Sequence, residues 1–121
     1  MRNPTSLAIN RSADIVEGAP VTATVDLAAI RHNARILQER AGEAELMAVI
    51  KADAYGHGAR PVARAAHEAG VRHYGVARLP EGIHLREDGH TGRILVLGAP
   101  SPEQLPRYAD HDLDLTVSSA D

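Results

Sequence analysis

The strongest constraint on the fold is a regular alternation of short apolar runs with helix-like segments. Residues 46–50 form a continuous apolar run, and 73–77 and 93–97 are predicted core strands that each begin with a basic residue followed by mainly apolar ones. A continuous apolar run is typical of a strand buried on both faces, as in a parallel sheet. Because parallel strands are joined by right-handed crossovers that usually contain a helix, this alternation predicts βαβ units and an α/β fold.

The segments between these runs carry helix start and stop signals. Asp26 is a predicted N-cap for a helix that ends near Gly42, and Pro61 suits the first turn of a helix that ends near Gly70. Further helices are predicted at 80–88 and 102–109, and further short strands at 21–25 and 113–117.

The length of the chain limits how many βαβ units it can hold. A complete (β/α)8 barrel needs roughly 250 residues, whereas this chain has 121. The prediction is therefore a partial (β/α)8, TIM-type barrel that contains the N-terminal strands and helices only; a small open α/β domain is the alternative. Residues 1–20 show no periodicity and are expected to be a flexible lead, and residues 21–121 to be the barrel portion.

Composition excludes several classes of function. The chain has no cysteine, so neither disulfides nor a thiolate metal site is expected, and we predict no metal site of any kind. A net charge of −3 and only three aromatic residues, all tyrosine, argue against nucleic-acid binding. No apolar run approaches the roughly 20 residues that span a membrane, and the N-terminus lacks a signal-peptide pattern. A cytoplasmic protein is expected.

Lys51 is the strongest candidate for a chemical role. Twelve of the thirteen basic residues are arginine, and Lys51 is the only lysine. It follows an apolar run, and functional groups gather at the carboxyl ends of parallel strands. An amine can form a Schiff base with a carbonyl, which a guanidinium cannot do. The simpler alternative is a lysine that extends from a strand end into solvent.

The loop after Lys51 has the properties of a phosphate-binding segment. Tyr55 provides a hydroxyl, and Gly56 and Gly58 allow a ligand to approach the backbone closely. A helix begins after the loop, and helix N-termini attract anions. An amine beside such a loop suits a phosphorylated aldehyde.

Residues 49–58, with the sequence VIKADAYGHG, resemble the attachment signature for pyridoxal 5'-phosphate (PLP) of alanine racemases. The resemblance extends over about 100 residues from Val21 onward and includes 26–33, 70–77, the Leu85–Arg86 pair and 94–98. The segment 81–84 departs from the family pattern and is interpreted as variation outside the site.

The resemblance implies a PLP-binding barrel followed by a β-rich domain, in a homodimer that interconverts L-alanine and D-alanine for cell-wall precursors. It implies that Lys51 holds PLP and acts as an acid or base, and that Tyr55 binds the PLP phosphate. Val49 and Leu97 would form apolar walls beside the cofactor. The family's second proton-transfer group is a tyrosine of the later domain, which is expected to lie outside this chain.

Two alternatives remain open at this point. The same PLP barrel occurs in racemases for other amino acids, such as serine or lysine; the loop after Lys51 favours an alanine racemase but does not exclude these. A non-catalytic, truncated PLP-binding fragment is the third interpretation.

Overall fold

A computed structural model describes residues 6–8 and 21–120 of the chain, with side chains from 21 onward. The strands and helices are, in chain order, β1 (Ser6–Ala8), β2 (Thr24–Asp26), α1 (Leu27–Ala41), β3 (Met47–Val49), α2 (Lys51–Tyr55), α3 (Ala59–Glu68), β4 (His73–Val76), α4 (Leu79–Glu87), β5 (Ile94–Val96), α5 (Leu105–Asp110) and β6 (Asp114–Leu115). A 3-10 turn (Pro102–Gln104) precedes α5.

Four strands form one parallel sheet in the order β3-β4-β5-β6. Val49 is in register with Gly75, and Gly75 with Leu95. Each strand is followed by helical structure before the next strand begins, which confirms the predicted α/β fold with βαβ units.

The N-terminal region differs in part from the expected flexible lead. Ser6–Ala8 pairs antiparallel with Thr24–Asp26, so β1 and β2 form a separate two-stranded sheet. The remainder of the predicted lead, residues 1–5 and 9–20, lies outside the described residues.

The hydrophobic core lies on one face of the parallel sheet, against the helices. Alternate strand residues point into it and are almost completely buried: Tyr74, Val76, Ile94 and Val96. On the other face, Val49 is 43% exposed and Leu97 is 40% exposed. The prediction that these apolar runs are buried on both faces is therefore wrong for the described part of the chain, because its helices cover only one side.

Side-chain contacts explain where two helices begin. Asp26 Oδ1 accepts hydrogen bonds from Ala28 N at 2.8 Å and Ala29 N at 3.2 Å, so α1 begins at Leu27 as expected. α3 begins at Ala59, where Asp53 Oδ1 accepts a hydrogen bond from Ala59 N at 2.7 Å, and Pro61 lies in its first turn as expected.

Arg86 stabilises the loops that precede two strands of the sheet. Its guanidinium donates to four backbone carbonyls, at 2.6–3.0 Å, that precede β5 and β6: those of His90, Gly92, His111 and Asp112. Arg86 belongs to α4 and binds both the loop before β5 and the loop before β6. Its hydrogen bonds therefore set where these two strands begin relative to that helix.

Candidate functional site

Lys51 lies at the carboxyl edge of the sheet, two residues after the end of β3, and its side chain is half-buried. The backbone on both sides of it is held. Ile50 N donates to Gly75 O at 2.8 Å, which extends the pairing with β4. Ala52 N donates to Glu81 Oε1 at 2.8 Å. Because the stem of the lysine begins between two fixed amides, its attachment point does not depend on the loop beyond.

The residues after Lys51 form a left-handed turn. Ala52, Asp53, Ala54 and Tyr55 have φ angles of 50°, 55°, 54° and 56°. Backbone hydrogen bonds close the turn, from Ala54 N to Ile50 O at 2.9 Å and from Gly56 N to Ala52 O at 3.1 Å. Left-handed backbone costs a non-glycine residue about 1–2 kcal/mol, so four in succession are a strained feature, which is typical of functional sites.

Two polar side chains of the turn bind its own backbone. Asp53 Oδ1 caps α3 through Ala59 N, and His57 Nδ1 donates to Ala54 O at 2.9 Å. These contacts leave the turn compact and direct the chain into α3. Asp53 therefore serves the turn and the start of the following helix.

Tyr55 ends the turn and is 60% exposed. Among the described residues its hydroxyl has no hydrogen-bond partner. A tyrosine hydroxyl is both a donor and an acceptor, so this one is available to a ligand at the same edge of the sheet as Lys51.

The sheet face beside Lys51 is apolar and open. Val49 at the end of β3 and Leu97 directly after β5 lie on this face, on either side of β4. Gly75 of β4 has no side chain, and a Cβ placed there would lie 3.3 Å from Val49 Cγ2. This face therefore offers a smooth hydrocarbon surface to a flat ligand.

Glu81 is a residue of this region that sequence reasoning missed, because 81–84 was interpreted as lying outside the site. Its carboxylate accepts hydrogen bonds from Ala52 N, from Ala77 N at 2.9 Å and from Arg78 N at 2.7 Å. The signal in the sequence was the position of Glu81 in the first turn after Pro80, where a carboxylate usually caps the helix. A cap alone does not predict the contact with Ala52.

The titratable groups with clearly shifted pKa values near the core lie on the helix side of the sheet. Burial raises the pKa of Tyr74 to about 12, and its hydroxyl donates to Ala63 O at 3.1 Å. Burial, with a smaller contribution from His67, lowers the pKa of His90. These groups belong to the packing of the domain, since they lie away from Lys51.

No helix among the described residues is long and apolar enough to cross a membrane. Within the same residues no cluster of three or more histidine or acidic side chains could hold a metal ion. The chemically distinctive features of the region are therefore the Lys51 amine, the Tyr55 hydroxyl and the apolar face.

Known proteins resemble this chain in sequence and in fold. Residues 25–121 match the family model "Alanine racemase, N-terminal domain". Alanine racemase of Mycolicibacterium smegmatis is 50% identical over 102 residues, which are 84% of this chain and 26% of that protein. The crystal structure of alanine racemase from E. faecalis superimposes with a TM-score of 0.75 at 38% identity, over 78% of this chain and 26% of that one.

A histidine racemase from Leuconostoc mesenteroides also superimposes, with a TM-score of 0.72 at 33% identity, over 77% of this chain and 25% of that one. The chain thus spans about a quarter of the length of the relatives it matches. The family match covers most of the chain and includes the lysine loop, the parallel strands and the helices between them. The chain belongs to the alanine racemase N-terminal domain family.

Proposed function

We propose that the protein carrying this chain is a PLP-dependent alanine racemase that interconverts L-alanine and D-alanine. The observation that carries the proposal is the position of Lys51, the only lysine of the chain, at the carboxyl edge of a parallel strand in a member of this family. The D-alanine formed in this reaction would supply cell-wall precursors. A cytoplasmic homodimer is part of the same proposal.

The described residues have the chemistry that PLP requires. The half-buried Lys51 amine can bind its aldehyde covalently. The Tyr55 hydroxyl, which has no partner among the described residues, can donate to its phosphate. Val49 and Leu97 present exposed hydrocarbon of the kind that covers an aromatic ring.

When bound, PLP supplies an electron sink that makes the α-carbon proton of an amino acid acidic. The residues of this chain hold and move that proton. In the proposed reaction, Lys51 Nζ would accept the proton from the α-carbon on one face or return it there. Val49 and Leu97 would pack against one side of the cofactor ring, which would cover their exposed hydrocarbon. Inversion also needs a proton donor on the opposite face, and none of the residues named here is assigned that role.

A racemase for a different amino acid is the second candidate. It is favoured by one observation, the similarity to the histidine racemase from Leuconostoc mesenteroides. In this proposal the residues described here contact the cofactor, and the residues that bind the substrate side chain belong to other parts of the protein.

The test is borohydride reduction of the natural full-length protein in the presence of PLP, followed by peptide mass mapping. A pyridoxyl adduct on Lys51 is expected, and Lys51→Arg, which keeps the positive charge but cannot form the bond, should remove it. Absence of any adduct on Lys51 would refute the PLP site. Comparison of kcat/KM for L-alanine, L-histidine, L-serine and L-lysine then identifies the substrate, and an adduct without turnover identifies a binding module.

A further inference from the structure

The strand that leads to Lys51 loses its regular partner directly after the lysine. The parallel ladder joins Ile50 N to Gly75 O, and its next step would join Ala52 N to Ala77 O. That step is missing, because Ala77 O accepts its hydrogen bond from Gly98 N, at 3.1 Å, on the opposite side. Ala52 has meanwhile entered the left-handed region, with φ of 50°.

The Glu81 side chain takes the place of the missing step. Oε1 accepts from Ala52 N on the β3 side, and Oε2 accepts from Ala77 N and Arg78 N on the β4 side. One carboxylate therefore connects the exits of two adjacent strands to the first turn of α4. An ionised carboxylate only accepts hydrogen bonds, and here it meets three donors, so these bonds are charge-assisted and fully complementary.

We infer that Glu81 is a positioning residue for Lys51, a role that rests on the proposed function. The bond to Ala52 N fixes the peptide from which the lysine side chain projects and sets the entrance to the left-handed turn. The four-carbon lysine stem is flexible, so the backbone below it is the part that the protein can hold. Glu81 thereby determines how often the amine reaches the geometry in which it binds the cofactor.

Helix capping by itself would give Glu81 a purely structural role, and the chain provides variants that separate the two roles. Glu81→Gln keeps the size and one acceptor oxygen but turns an NH2 group toward backbone donors. Glu87→Gln makes the same change of charge on the same helix without a backbone contact. Ile83→Val removes one buried methyl group from α4 and destabilises its packing without reaching the lysine turn.

The experiment uses the natural full-length protein in these variants. Hydrogen exchange of the Ala52 amide is measured without PLP, and the rate of PLP attachment to Lys51 is measured by borohydride trapping, both well below the unfolding temperature. We expect Glu81→Gln to speed exchange of the Ala52 amide and to slow attachment, each by roughly tenfold, as for loss of one charge-assisted hydrogen bond. Glu87→Gln and Ile83→Val should retain wild-type values for both.

The outcomes are distinct. Unchanged exchange at Ala52, or faster exchange with an unchanged attachment rate, in Glu81→Gln would overturn the positioning role and leave the proposed function intact. If Ile83→Val slows PLP attachment as much as Glu81→Gln does, the effect comes from the stability of α4, and Glu81 acts only as a helix cap. A wild-type protein that attaches no PLP at Lys51 would overturn the proposed function, and the role of Glu81 with it.

Discussion

Replacing Ala52 with glycine should stabilise the protein, although glycine usually destabilises. Ala52 is exposed and has φ of 50° and ψ of 51°, close to the ideal left-handed conformation. Its methyl group therefore contributes no core packing and clashes with its own backbone. Glycine has no such clash, and it retains the N–H that binds Glu81.

The magnitude follows from two opposing effects. Relief of the left-handed conformation is worth about 1–2 kcal/mol, and the greater freedom of glycine in the unfolded chain costs about 0.4–1 kcal/mol. The net effect on the free energy of unfolding is a gain of about 0.5–1 kcal/mol. Ala54 has the same backbone conformation but is only 5% exposed, so Ala54→Gly should lose this gain through the buried methyl group.

Urea denaturation measures both changes, with Ala29→Gly as the matched control. Ala29 is also exposed but lies in the right-handed helix α1, where glycine should cost about 0.5–1 kcal/mol. The midpoints of Ala52→Gly and Ala29→Gly should therefore shift in opposite directions. Equal destabilisation by both substitutions would refute the strain argument and the left-handed turn on which it depends.

Three further predictions concern the site and the core. Lys51→Ala should abolish racemisation because it removes the cofactor anchor and a proton-transfer group; turnover at the wild-type rate without added amine would refute its role. Tyr55→Phe should weaken PLP binding by about 1.5–3 kcal/mol, the value of a hydrogen bond to a charged group; an unchanged Kd in equilibrium dialysis would remove Tyr55 from the phosphate site. Burial lowers the pKa of His90 below its ordinary 6.5, so the unfolded state binds more protons and stability should fall as pH drops from 6.5 through the lowered pKa. Unfolding curves at pH 7.5 and 5 should show this loss, His90→Asn should reduce it, and an equal loss in that variant would contradict the assignment.

The sequence predicted the sheet well because its strands are short, apolar and separated by capped helices. Asp26 and Gly42 marked the ends of α1 correctly, since both act through local contacts. Pro61 lies in the first turn of α3 as predicted, but the contact that precedes this turn was not predicted, because it comes from Asp53, six residues before the first helical residue. The pairing of Ser6–Ala8 with β2 was missed because three residues carry too little periodicity to indicate a strand.

The candidate site was predicted only where its chemistry is visible in residue type. Lys51 and Tyr55 stand out because an amine and a hydroxyl follow an apolar strand; their roles stay predictions. The handedness of the turn was not predictable from propensity, since alanine and tyrosine rarely have positive φ. Glu81 escaped notice because its contact with Ala52 joins residues 29 positions apart and depends on two strands lying side by side.

The Arg86 contacts have a consequence for how this fold can change. The carbonyls that Arg86 binds lie at the edge where the strands begin, opposite to Lys51. A lysine has a single ammonium group and cannot reach four separate acceptors, so even a charge-conserving exchange at this position should be disfavoured. Because the Arg86 hydrogen bonds hold the strand beginnings without any contact from the other edge, the loops at the other edge can vary without displacing the strands. Change is therefore expected to be tolerated least in the connections held by Arg86, and the loops that follow the strands can vary only where they do not carry Lys51, Tyr55 or Glu81.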